Sequence, residues 1–386
     1  MVNAVDSLLE GDPELAARRS EIRIVRAPGR VNLIGEHTDY NQGYVFPAAI
    51  DLEIRIAFLP TDDGHVRLTR HDTGEHGEMA VDANRPADGS WFDYIAGVLV
   101  ELRAAGHRPQ GLRGVIDSSL PMNAGLSSSA AIELASAWAL LGDAAADVPP
   151  MDLARLAQRA ENGYVGVNSG LMDQFASACG VAGSALLLDC RSLDWRPVAI
   201  PNDVALVVLH SGSPRRLAGS EYNVRRAQCE AGVAAIAERE PAVRSLRDVT
   251  PAMLDSAADR VDPVVLRRCR HVVAENERVC STVDALEAGD LATVGEMFAA
   301  SHASLRDLYE VSSPELDALV EIASDVRGVV AARMTGAGFG GCTVNLVRPD
   351  AVDALRSAVE ERYPARTGLT PRIFPVTAAP GAGIIA

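Results

Sequence analysis

The 386-residue chain is 48% hydrophobic and 23% charged, the balance of a globular protein rather than a disordered one. Its 36 Lys and Arg against 52 Asp and Glu leave a net charge of −16, a field that repels nucleic acid and anionic membrane surfaces. No apolar run reaches the roughly 18 residues of a membrane span, and the six cysteines, at 179, 190, 229, 269, 280 and 342, form no C-x-x-C pair. The first residues lack a basic region followed by an apolar core, so a secretory leader is not expected. Reduced thiols and a cytoplasmic location follow from these features, with neither nucleic acid nor membrane as partner.

The length favours two domains, placed at 1–200 and 201–386, each able to build its own core. Alternation at Ile22, Ile24 and Arg26 predicts a strand that Pro28-Gly29 breaks. Strands over 45–50 and 53–59 follow, then a polar stretch of hairpins and loops over 61–90. A helix is expected over 92–105, a strand over 111–118, and helices over 127–141 and 152–164. A short helix starting near 172 precedes strands over 184–189 and 204–210, which are expected to close the first domain. From about 215 to 325 the pattern is mostly helical, followed by a glycine-rich turn, an alternating strand over 342–347, a helix and a last short strand. Hairpins mixed with helices argue for an α+β fold over a doubly wound parallel sheet.

Four segments carry chemistry. The first, residues 26–43, packs Arg30, Glu36, His37 and Asp39 among Val31, Leu33 and Ile34, so the polar cluster is pinned to a core. Carboxylate acceptors in such a place suit a ligand rich in hydroxyl donors. In the second, Pro121–Glu133, a glycine loop runs into a helix that begins at Ser127, Ser128 and Ser129. Free N–H groups and the positive end of the helix dipole make that start a phosphate site. An ordinary N-cap at Ser127 is the competing reading. The third, Gly170-Leu-Met-Asp-Gln174, puts Asp173 at the start of a helix, with Glu161 at the edge of an apolar helix face upstream. A carboxylate beside the core needs a partner or a cation, whereas Asp173 alone could be dipole compensation. The fourth, Thr335-Gly-Ala-Gly-Phe-Gly-Gly-Cys-Thr343, reads by itself as a glycine turn before a strand.

Together these segments resemble the GHMP small-molecule kinases, and specifically the galactokinases. Residues 30–43 are similar almost letter for letter to the galactokinase signature, Gly125–Ala130 to the phosphate-binding motif and Thr335–Gly341 to the third motif. Gly170–Gln174 and Ser220–Arg226 also resemble galactokinase segments. The resemblance implies a ribosomal-protein-S5-like N-terminal domain, a ferredoxin-like C-terminal domain and an active site between them. It implies ATP-dependent phosphorylation of the C1 hydroxyl of α-D-galactose, with Mg²⁺, by a monomer. Asp173 would serve as base or orienting group, with Arg30 as its electrostatic partner. Glu36, His37, Thr38, Asp39, Gly170 and Tyr222 would hold the sugar. Asn123, Ala124, Gly125, Leu126, Ser127, Ser128 and Ser129 would wrap the triphosphate, with Ser129 and Glu161 on the metal. Asn123 stands where the superfamily has Gly, and Asn is the residue that best tolerates a left-handed turn in its place. The alternatives are a kinase for N-acetylgalactosamine or L-arabinose, and a non-catalytic sugar- and ATP-binding regulator.

Overall fold

The computed structural model describes residues 18–121, 124–213 and 218–385. The first half comprises β1 (Arg23–Asn32), β2 (Tyr44–Val45), β3 (Pro47–Thr61), β4 (His65–Arg70), β5 (His76–Ala80), α1 (Asp93–Ala104), β6 (Gly111–Ser118), α2 (Ser128–Leu141), α3 (Pro150–Ala160), α4 (Met172–Cys179), β7 (Ser184–Asp189) and β8 (Trp195–Ala199). The second half adds β9 (Ala205–His210), α5 (Ala218–Ala237), α6 (Pro251–Ser256), α7 (Pro263–Glu287), α8 (Leu291–Ser304), α9 (Pro314–Ser324), β10 (Val329–Thr335), β11 (Cys342–Val347), α10 (Val352–Thr367), β12 (Arg372–Val376) and β13 (Gly383–Ile384). Three sheets form, ordered β13-β1-β3-β6-β4-β5, β2-β7-β8 and β10-β11-β9-β12. Every pairing is antiparallel except β4 with β6. Helix α2 lies across β1 and β3, with α1 and α3 packed on it. The architecture is α+β.

Several sequence expectations change. The first strand does not end at Pro28-Gly29 but runs to Asn32, with its register shifted between Pro28 and Arg30. Pro28 has no N–H for the ladder, and a bulge absorbs that loss. The two strands expected at 45–50 and 53–59 are mainly one, β3, because the irregularity lies on β1 and leaves its partner continuous. Asp51, mid-strand, accepts from the Thr377 backbone N–H (3.0 Å) and hydroxyl (2.8 Å), so it anchors the strand instead of interrupting it. Strand β9, expected to close the first domain, joins the sheet of the second half. The second half is not contiguous in space either, because β13 returns to the first sheet and pairs with β1 through Val25 and Ile384.

The four-stranded sheet is buried on both faces. On β9, Leu206 and Val208 face the large core of the first half, while Val207 and Leu209 face α9 and α10. Strand β11 therefore buries its polar positions along with the apolar ones. Asn345 donates to Val207 O (2.9 Å) and to Thr343 Oγ1 (3.0 Å), which offsets part of the cost of burying it.

The halves are joined by Arg333, the largest fully buried side chain, on β10. Its guanidinium donates to Leu33 O (2.8 Å) and Asn32 O (3.2 Å) and pairs with Glu36 (2.6 Å). Glu36 also accepts from Asn32 Nδ2 (2.7 Å) and from Gly336 N (2.8 Å). Burial pushes the Glu36 carboxyl up in pKa even with Arg333 beside it. Removing one partner of such a pair strands the other charge. Arg333→Met is therefore predicted to destabilise the fold by about 3–5 kcal/mol, with part recovered in the double variant Arg333→Met/Glu36→Gln. Urea unfolding of the three proteins measures this, and an unchanged midpoint for Arg333→Met would refute it.

Candidate active site

Beyond the bulge, the Arg30 backbone N–H leaves the sheet ladder and donates to Leu126 O (3.1 Å) in the loop before α2. The Arg30 side chain, 4% exposed, then gathers the remaining parts. Nη1 donates to Gly125 O (2.7 Å), while Nε and Nη2 both reach Asp173 Oδ1 at 2.8 Å. Among the described residues, Asp173 Oδ2 has no hydrogen-bond partner and is left for a ligand. A pair 143 positions apart in sequence thus forms the floor of a cavity of about 210 Å³.

That cavity is lined by Arg30, Glu36, His37, Asp39, Ser129, Glu161, Gly170, Asp173 and Tyr222, all marked by the sequence motifs. Thr38 is not among them. Its buried hydroxyl faces Gly35 O (2.8 Å) and Tyr44 O (2.6 Å), closing the loop on itself instead of reaching the cavity. Glu36 reaches the edge only. Three of the four acceptor sites of its carboxylate are taken by Arg333, Asn32 and Gly336, so it braces more than it offers. His37 is held at φ 64° with Nδ1 2.9 Å from Tyr40 Oη and its ring against Tyr309 and Tyr222. Burial, then the nearby His271, lower its pKa to about 3, so His37 is a neutral polar group. A Cβ on Gly170 would sit 1.8 Å from Asp39 Oδ2, so any side chain there would displace that carboxylate.

At the phosphate side, Ser127 does not cap its helix. It adopts a left-handed conformation (φ 62°, ψ 47°), makes no capping bond, and its buried Oγ has no partner. Ala124 and Leu126 turn their side chains into the core, leaving backbone and the Ser128 and Ser129 hydroxyls to meet a ligand. Asn123 lies outside the described residues. A second cavity adjoins at Ser128 and Ser129 and is walled by Trp91, Tyr94, Ile54, Ile116 and Ile132. Gly336 and Ala337, from the glycine segment before β11, line the first cavity. Gly336, Gly338, Gly340 and Gly341 all have positive φ, and a Cβ on Gly338 would meet Val311 O at 2.2 Å.

Glu161 opens a π-helical turn (Glu161–Val165) that ends α3 and tips the carboxylate inward. It accepts from Gln174 Nε2 (2.8 Å) and from Ser169 Oγ. Burial pushes its pKa up against the hydrogen bonds of Ser169 and Ser129. Sequence reading missed Ser169, Gln174 and Glu133, which surround this carboxylate, and Arg333. For Glu133 a signal existed, because it follows Ser129 by four residues on one helix face.

Asp39 yields a measurable consequence. Burial and then the Asp173 charge raise its carboxyl to about 6. The ionised form that accepts ligand hydroxyls is therefore present above that pH and lost below it. The KM for a hydroxyl-bearing substrate is predicted to rise by up to about tenfold per unit as pH falls below 6. Steady-state kinetics across pH 5–8 on wild type and Asp39→Asn test this, since the variant should lose the inflection. An identical profile in both would reject it.

Comparison with known proteins agrees with this geometry. Residues 16–60 match the galactokinase galactose-binding signature, 93–181 the GHMP kinases N terminal domain, and 282–365 the GHMP kinases C terminal domain. The galactokinase of Roseiflexus sp. (strain RS-1) is 46% identical over 93% of this chain and 92% of that protein. That of Chloroflexus aggregans is 45% identical over 94% and 93%. Among solved structures, Lactococcus lactis galactokinase complexed with galactose superposes with a TM-score of 0.90 at 37% identity, covering 94% of this chain and 95% of that one. Methanococcus jannaschii mevalonate kinase shares the fold at 18% identity, with a TM-score of 0.65 over 92% and 98% of the two chains. The chain belongs to the galactokinase family of the GHMP kinases and is an ATP-dependent sugar kinase.

Proposed function

We propose that this kinase transfers the γ-phosphoryl group of ATP to the C1 hydroxyl of α-D-galactose, giving galactose 1-phosphate, the first committed step of galactose metabolism. The observation that carries this reading is the Arg30–Asp173 pair, set in one cavity with the serine start of α2. Phosphoryl transfer asks chiefly for alignment of the attacking hydroxyl and stabilisation of charge on the phosphoryl oxygens. Arg30 occupies Oδ1 of Asp173, so Oδ2 faces the sugar hydroxyl and takes or orients its proton. Asp39, His37 and Tyr222 hold the other hydroxyls, with Gly170 leaving the Asp39 carboxylate room. An epimer with one hydroxyl turned away would leave a buried acceptor unpaired, and discrimination follows from that loss.

The first turn of α2 offers free N–H groups and the Ser128 and Ser129 hydroxyls to the phosphates. The adjoining slot between Trp91 and Tyr94 suits the purine base. Use of ATP implies a divalent metal, and the oxygen donors here fit Mg²⁺. Ser129 and Glu161 would hold it, and it would neutralise charge between the phosphates. Among the described residues no group of three His, Cys, Asp or Glu could hold a metal by itself.

Asp173→Ala is predicted to bind galactose and ATP nearly as wild type does while losing about 10²–10⁴-fold in kcat. Calorimetric binding beside a coupled ADP-release assay separates the two effects, and undiminished kcat would remove Asp173 from the mechanism. The same assay over a panel of hexoses tests the substrate. Absence of ADP release with galactose would overturn the proposed reaction.

A further inference from the structure

Two fully buried side chains beside the reaction site each carry an oxygen with no partner. Glu133, one turn beyond Ser129 on α2, leaves Oε1 unbonded, and Gln174, directly after Asp173 on α4, leaves its own Oε1 unbonded. Between them the Gln174 amide donates to Glu133 Oε2 (3.1 Å) and to Glu161 Oε2 (2.8 Å). One amide therefore ties two buried carboxyls together next to the catalytic aspartate.

A filler role for Glu133 does not account for this arrangement. Its Oε1 has no partner among the described residues, while its other oxygen is held by the Gln174 amide. What the geometry gives Glu133 is a hold, through the Gln174 amide, on the Glu161 carboxyl.

We propose that Glu133 and Gln174 form the outer layer of the divalent-cation site whose inner donors are Ser129 and Glu161. Glu133 anchors the Gln174 amide, and the amide fixes the Glu161 carboxylate towards Ser129. Because Gln174 adjoins Asp173, the same link sets the distance between the cation and the catalytic carboxylate. Both are positioning residues, acting through Glu161. The inference rests on the Mg²⁺ reading given above.

The test compares the affinity of the full chain for AMP-PNP with Mg²⁺ and with EDTA, by isothermal titration calorimetry. The ratio of the two is the gain due to the metal. Glu133→Leu, which removes the acceptor for the Gln174 amide, is expected to cut that gain about tenfold or more while leaving metal-free affinity within about twofold. Gln174→Met, which breaks the link from the other side, should reduce the gain equally and guards against a folding defect in either protein. Glu161→Gln separates the two levels of the claim. If it keeps the full gain, the Mg²⁺ reading itself falls. If it loses the gain while Glu133→Leu and Gln174→Met keep it, the outer layer is refuted and the inner site stands.

Discussion

The molecule is organised around a guanidinium that never meets solvent. Arg333 sits on a strand of the second half, yet its side chain donates to the first, at Asn32, Leu33 and Glu36. Next to it, Thr335 Oγ1 meets both backbone groups of Asn32, at 2.9 and 3.1 Å. Well-packed apolar residues could give similar stability. What they could not give is direction. The bonds fix the chain between Asn32 and His37 at one height relative to the glycine turn, so the signature loop is positioned by a strand 300 residues away. From the other side α7 grips the same loop, through Glu275 to Gly35 N (3.1 Å), Asn276 to Tyr44 N (2.9 Å) and His271 to Glu36 O (3.2 Å).

An acidic protein that binds a polyanion must make its own positive field locally. Here the field comes from Arg30 and from the amides at the start of α2, both shielded from water by the walls of one cavity. Low dielectric strengthens these few groups. It also magnifies repulsion among the carboxylates around them. Burial first, and neighbouring carboxylates after it, raise the carboxyls of Asp39, Glu133 and Glu161.

What could be read in the sequence was whatever local chemistry encodes. Strands 111–118, 184–189 and 342–347 were legible because apolar residues bounded by turn residues define them without outside help. The contiguous signature carried Arg30, Glu36, His37 and Asp39 of the cavity lining for the same reason. Pro28 misled because a bulge, not the residue, decides whether a strand survives a proline. The gap expected at 51–52 is closed by Thr377, a partner of Asp51 that is remote in sequence. Arg333, Gln174 and Glu133 stayed hidden because each acts across the fold: an arginine inside an apolar strand announces a buried partner without naming it. Thr38 shows the converse, a signature residue whose hydroxyl serves the loop's own shape.

The return of β13 to β1 has a bearing on synthesis. Strand β1 carries Arg30 at one end and, near the other, presents the edge that β13 covers, at Val25 and Arg26. During translation that edge has no partner until residues 383–384 have left the ribosome. An uncovered edge with buried apolar neighbours is a template for wrong pairing. The strand that carries Arg30 is therefore the one the nascent chain must keep from its neighbours for longest before β13 seals it.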